Sequence, residues 1–143
     1  MLVKQISVFV ENKPGRLAEI TSLLADANVN LRAVSIGDTT DFGILRMIVD
    51  KPEVAEKALK DAEMAMSVTQ VLALAIEDVP GGFSKAVKIL SQNGVSIEYM
   101  YAFNTGHFGK ASIIIRVNDN EEAIKTLSDN GFILISEEEI QAN

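Results

Sequence analysis

The sequence predicts an α+β protein of two tandem ferredoxin-like βαββαβ modules, each an antiparallel four-stranded sheet with helices on one face. Three observations carry this prediction: an internal repeat that spans most of the chain, strand-like alternation at matching places in both halves, and apolar helical faces between them.

Sliding the sequence against itself by 66 residues puts Glu11, Pro14 and Gly15 on Glu77, Pro80 and Gly81. The same shift puts Leu24 on Leu90, Val29 on Val95, Thr39 on Thr105, Phe42 on Phe108, Gly43 on Gly109 and Ile48 on Ile114, with no gap over residues 5 to 50. Turn residues and apolar residues stay in phase together, which marks a duplication. The modules are expected at residues 1–70 and 71–143.

In the first strand, Ile6, Val8 and Val10 alternate with Gln5, Ser7 and Phe9. Their counterparts Leu72, Leu74 and Ile76 make the even-numbered set the one that faces the helices. Leu17, Ile20, Leu24 and Ala27 share one helical face, as do Phe83, Val87 and Leu90; Pro14 and Pro80 suit the first turn of these helices, and Asn28 and Gly94 suit their ends. Val29–Gly37 and Gly43–Asp50 read as a hairpin, repeated by Val95–Phe103 and Gly109–Val117. Pro52 opens the next helix, with Ala55, Ala58, Leu59 and Ala62 inward; Ile124 and Leu127 serve the second copy, which Gly131 ends. Ser67–Gln70 and Phe132–Ser136 are the last strands. No Gly or Pro interrupts Ser67–Ile76, so the last strand of the first module is free to run on into the first strand of the second, and strand exchange between modules is left open.

Composition narrows the function. Of the 143 residues 48% are hydrophobic, enough for two small cores, and no apolar stretch is long enough to span a bilayer. The start, Met1 to Glu11, alternates like a strand and lacks the form of a signal peptide, so the expectation is a soluble cytoplasmic protein without a membrane partner. With no cysteine, disulfides, thiolate catalysis and cysteine metal sites are excluded. A formal charge of -7 opposes binding to phosphate backbones, so nucleic acid is not expected as a partner.

The run Glu-Asn-Lys-Pro-Gly-Arg-Leu at residues 11–17, followed by Asn-Val-Asn-Leu at 28–31, resembles the ACT domain family. Glu-Asp-Val-Pro-Gly-Gly-Phe at 77–83, with Gly-Val-Ser-Ile at 94–97, resembles it again. The resemblance implies a regulatory domain that binds a free amino acid and modulates an enzyme of amino-acid metabolism, with sites between paired modules. On these positions the implied ligand-binding residues are Asn12, Lys13, Pro14, Gly15, Arg16 and Leu17 with Asn30 in one copy. In the other they are Asp78, Val79, Pro80, Gly81, Gly82 and Phe83 with Ser96. In a serine-responsive branch of the family a histidine stands two residues before the loop asparagine, where this chain has Val10 and Ile76, so serine is not indicated. Arg16 opposite Gly82, and Asn30 opposite Ser96, imply unequal binding by the two copies.

The residues supply their own reason for such a site. Gly15 and Gly81 leave backbone N–H groups bare at a helix start, where a carboxylate is favoured; Asn12, Asn30, Asp78 and Ser96 offer oxygens to an ammonium group. The same Pro-Gly sequence also suits a plain tight turn capped by Asn12 or Asp78. Tyr99, Tyr101 and Phe103 alternate on one side of their strand, either as packing or as a wall against a ligand. On the second reading the amino acid is histidine or another larger one.

No catalytic residues, metal site or cofactor are expected: the one histidine, His107, lies in a hairpin loop opposite Asp41 of the first copy, and no nucleophile set or phosphate loop is present. Phe9, Val34, Ile44 and Ile48 are expected to point away from the helices. That apolar face and the bare strand edges predict a homodimer. The alternatives are an accessory regulatory subunit that acts by protein contact without its own ligand and, as a lesser one, a ferredoxin-like enzyme.

Overall fold

A computed structural model describes residues 1–38, 42–103 and 110–142. Thr39, Asp41, Thr105, His107, Phe108 and Gly109, named above from the sequence, lie outside the described residues. The elements in chain order are β1 (Val3–Glu11), α1 (Arg16–Asp26), β2 (Leu31–Asp38), β3 (Phe42–Val49), α2 (Pro52–Asp61), β4 (Met66–Glu77), α3 (Gly82–Gln92), β5 (Ile97–Phe103), β6 (Lys110–Val117), α4 (Asn120–Asp129), β7 (Ile133–Ile135) and α5 (Glu137–Ala142). This is βαββαβ written twice, with β4 serving as the last strand of the first copy and the first of the second. The chain divides into a unit of Lys4–Thr69 and a unit of Gln70–Asn143 that also takes in Met1–Val3.

In the N-terminal unit the strand order is β4-β1-β3-β2, with β3 antiparallel to both its neighbours through Val8 opposite Leu45 and Ile36 opposite Leu45. Ile6, Val8 and Val10 pack with Ile20, Leu24, Leu45, Met47, Ala55 and Leu59 into one core. The even-numbered residues therefore face the helices as expected, because a period of two puts them all on one side of the pleat. In the C-terminal unit the order is β7-β4-β6-β5, and Leu72, Leu74 and Ile76 meet Ala86, Leu90, Ile113, Ile115, Ala123 and Leu127, with Leu2 packed against them.

The helix ends follow their chemistry. Asn28 (φ 60°) and Gly94 (φ 75°) take left-handed backbone just past α1 and α3, and Gly131 (φ 77°) does so past α4. Pro52 opens α2 at the first helical position. Pro14 and Pro80, expected in the first turns of α1 and α3, instead lie one residue before the N-caps. The caps are Gly15 and Gly81 at φ 88° and 86°, a backbone that only glycine adopts without strain, so the helix cannot begin until after them.

Two outward residues differ from expectation. A register shift between Leu31 and Ala33 reverses the phase of β2, so Ala33 lies opposite Ile48 while Val34 lies opposite the core residue Met47. Val34 thus stands on the helix-bearing side of the edge strand, 51% exposed, rather than on the far side. Ile48 does stand on the far side but is fully buried. The short helix α5 was not expected; the Ser136 hydroxyl accepts from the Glu139 N–H to start it, and Ile140 anchors it by burial.

Candidate functional site

The strand registers fix where each expected ligand residue falls. β1 ends at Glu11, opposite Phe42, and Val10 lies opposite Gly43, which also meets Asp38 at the end of β2. The loop Asn12–Gly15 therefore sits at the sheet end where β2 finishes and β3 starts. Asn30 stands at the other end, where its N–H donates to Asp50 Oδ1 at 2.8 Å and its carbonyl accepts from the Asp50 N–H at 3.1 Å. Eight residues of β2 separate the two, roughly 25 Å of extended chain. The C-terminal unit repeats this: Asp78–Gly81 follow β4, while the Ser96 N–H donates to Asn118 Oδ1 at 2.9 Å at the far end of β5. Within a unit, then, the structure does not bring Asn12 to Asn30 or Asp78 to Ser96.

The N-caps of α1 and α3 are Gly15 and Gly81, which have no side chain to offer the first-turn N–H groups. The contrast is α4, where Asp119 accepts from the Glu122 N–H at 3.1 Å. The Arg16 and Gly82 N–H groups are used within their turns, donating to the Lys13 and Val79 carbonyls. The next N–H groups, of Leu17 and Ala18 and of Phe83 and Ser84, belong to the set for which a helix supplies no acceptor of its own.

Beside the first loop lies a cavity of about 160 Å³ lined by Val10, Glu11, Asn12, Lys13, Leu17, Ile36 and Gly43. Three of these were expected from the sequence. Ile36 and Gly43 were not, since their place depends on register; the match of Gly43 with Gly109 was the available signal. Leu17 and Ile36 are half exposed and give the cavity apolar walls. Arg16 points into a salt-bridge cluster instead: its guanidinium meets Glu19 at 3.2 Å and Glu11 at 4.0 Å, and Lys13 Nζ meets Glu11 at 3.1 Å. The hydrogen bond from Lys13, and the charges of Lys13 and Arg16, hold the Glu11 carboxyl below its ordinary pKa. A ligand carboxylate at this loop would share these two cations with Glu11 and Glu19.

At the second loop Asp78, Val79 and Pro80 are exposed, and Phe83 packs on the C-terminal core. Tyr99, Tyr101 and Phe103 share a face with Arg116, Ile114 and Ser112 of β6, and Tyr101 is buried there, so packing accounts for its ring. Among the described residues, no group of three or more His, Asp or Glu side chains could hold a metal ion. No helix is long and apolar enough to cross a membrane.

Two βαββαβ units whose Pro-Gly loops open onto glycine-capped helices define a duplicated ferredoxin-like module. The chain belongs to the ACT domain pair family, whose model matches residues 1–142. It is similar to protein BT0572 from Bacteroides thetaiotaomicron, with 40% identity, a TM-score of 0.94 and coverage of all of this chain and 98% of that one. It shares its fold with the ligand-free regulatory subunit of aspartate kinase from Thermus thermophilus, at 19% identity and a TM-score of 0.65 over 91% of this chain and 94% of that one. The corresponding regulatory subunit from Thermus flavus matches at 18% identity and a TM-score of 0.60, over 88% of this chain and 90% of that one. No curated protein matches the chain.

Proposed function

We propose that this ACT domain pair is a regulatory protein that binds a free amino acid at its Pro-Gly loops and modulates an enzyme of amino-acid metabolism, without catalysis of its own. The observation that carries the reading is the pair of helix starts whose N-caps are the glycines Gly15 and Gly81, in a chain that caps α4 with the Asp119 side chain. There the α-carboxylate accepts from the first-turn N–H groups and sits at the positive end of the helix dipole. The 160 Å³ cavity beside Asn12 suits a side chain of moderate size: a cavity of roughly 150 Å³ holds benzene. That favours histidine or another larger amino acid.

Because Asn12 and Asn30 lie at opposite ends of their unit, a site that uses both must draw Asn30 from another module. A homodimer supplies one, and the reading includes that assembly. The test is a thermal-shift screen against all free amino acids, followed by calorimetry with the best ligand, its amide and its deaminated analogue. The reading expects one amino acid to stabilise the protein by mass action and both analogues to bind far more weakly. Equal binding of the analogues would move the site elsewhere. No stabilisation by any amino acid would leave the accessory subunit, for which the exposed rings of Phe9 and Phe42, on the sheet face away from the helices, offer a contact surface.

A further inference from the structure

The N-terminal unit has a second cleft, and the C-terminal unit one in the matching place, between the end of the first strand, the first turn of the first helix and the turn that leads into the last strand. In the N-terminal unit it is lined by Phe9, Val10, Glu11, Arg16, Glu19, Ile20 and Met64. In the C-terminal unit it is lined in part by Glu77, Gly82, Lys85, Lys110 and Phe132 and measures about 100 Å³. The 66-residue shift that relates the copies carries Glu11 to Glu77, Arg16 to Gly82 and Glu19 to Lys85, and it places Lys110 where the first copy has Ile44.

These replacements reverse the electrostatics. In the first cleft Arg16 is neutralised by Glu19 and Glu11. In the second, the arginine is a glycine, its carboxylate partner is a lysine, and a further lysine has been added. Among the described residues neither Lys85 nor Lys110 forms an ion pair. Glu77 lies opposite Lys110 in the ladder, and it too forms no ion pair there. Three main-chain donors of the lining are already taken: Gly82 N–H by the Val79 carbonyl, Gly131 N–H by Ser128 and Phe132 N–H by Leu127. What the charged side chains of this cleft offer an anion is two ammonium groups against the one Glu77 carboxylate, on a protein whose formal charge is -7. Its volume equals about three waters at roughly 30 Å³ each, room for one compact group rather than a whole amino acid.

We propose that the cleft of the C-terminal unit binds a small doubly charged oxyanion, a phosphate or sulfate group, held between Lys85 and Lys110. This site is separate from the Pro-Gly loop reading and stands without it. The test is calorimetric titration of the full chain with sodium phosphate and with sodium sulfate, at an ionic strength held constant with chloride. Saturable binding of about one anion per chain is expected. Lys85→Ala and Lys110→Ala should each weaken it about tenfold or more, as loss of a charged hydrogen bond does. Glu77→Gln should tighten it, since the one acidic side chain among the described residues of the lining loses its charge. Lys57→Ala removes an equal charge elsewhere, at an exposed pair with Asp61, and should leave binding unchanged. Thermal melts without anion check that each variant is folded. The proposal is overturned by the absence of saturation at roughly 10 mM, by unchanged binding in both lysine variants, or by equal weakening in Lys57→Ala, which would mark a response to net charge alone.

Discussion

Replacing Gly82 by alanine should destabilise the protein, although it sits in a helix where alanine is normally the better residue. A Cβ built on Gly82 falls 2.1 Å from the Glu77 carbonyl oxygen, while an ordinary carbon–oxygen contact is about 3.3 Å or more. The obstructing atom is main chain, so relief needs α3 and the end of β4 to part by roughly 1 Å. Overpacking of this kind costs about 1–3 kcal/mol and sometimes more. The gain in helix propensity is at most about 1 kcal/mol and smaller in a first turn. A net loss near 2 kcal/mol lowers Tm by about 4–8 °C in a chain of this length. The comparison that isolates the cause uses Gly81, which has nothing within 4 Å of its Cβ position but a φ of 86°. There alanine should cost about 1–2 kcal/mol through backbone strain, and asparagine, which tolerates left-handed backbone, should recover part of it. At Gly82 asparagine should be no better than alanine, since the obstruction is steric. Scanning calorimetry on the four variants decides the matter: a neutral or stabilised Gly82→Ala would refute the close approach of α3 to Glu77.

Other perturbations follow from single features. Asp119→Ala removes the side-chain cap of α4 and should lower stability by about 1 kcal/mol in urea denaturation. Leu90→Ala, at a fully buried position in the C-terminal core, should cost about 2–5 kcal/mol in the same assay, in proportion to the cavity left behind. Asn28→Ala places a Cβ-bearing residue without a local hydrogen-bonding side chain at φ 60° and should lose about 1 kcal/mol, which Asn28→Gly should not. Because the folded-state pKa of Glu11 is depressed, its contribution is present above the unfolded value of 4.5 and is lost as pH falls below that through the folded value. Acid titration of Glu11→Gln should accordingly be flatter than wild type below pH 4.5, by a small amount because the cluster is exposed.

Most of the fold was legible because it rests on two periods and on punctuation. Ile6, Val8 and Val10 announce a one-sided strand, Leu24 and Leu90 a helical face, and Asn28, Gly94 and Gly131 the ends of helices. The phase of β2 was not legible, since the shift between Leu31 and Ala33 inserts one residue with no glycine or proline to mark it. That single step moved Val34 and Ile36 to the helix side and so supplied the apolar wall of the first cavity. The start of α1 was misjudged for a related reason: Pro14 is compatible with a first turn, and only the positive φ of Gly15 defers the helix by two residues. The expected ligand residues were grouped by family resemblance, whereas register sends Asn30 to the far end of its strand, a separation that sequence spacing alone does not express.

The two loops share what main chain imposes and differ in what side chains can change. Gly15 and Gly81 have nearly the same φ, both helices start from a glycine N-cap, and the residues that open the second strands are held alike, by Asp50 in one copy and Asn118 in the other. A carboxylate that accepts from backbone N–H groups would meet equivalent donors in both. Around them the copies diverge: Arg16 and Lys13 are engaged with Glu11 and Glu19, while Gly82 and Val79 offer no charge at the corresponding places. Affinity in the first copy should therefore vary with salt and with the protonation of Glu11, because both set how far the cations are free to meet a ligand. The second copy lacks these two cations, so its affinity should not follow the protonation of Glu11, and the pH profile of binding can assign each affinity to its loop.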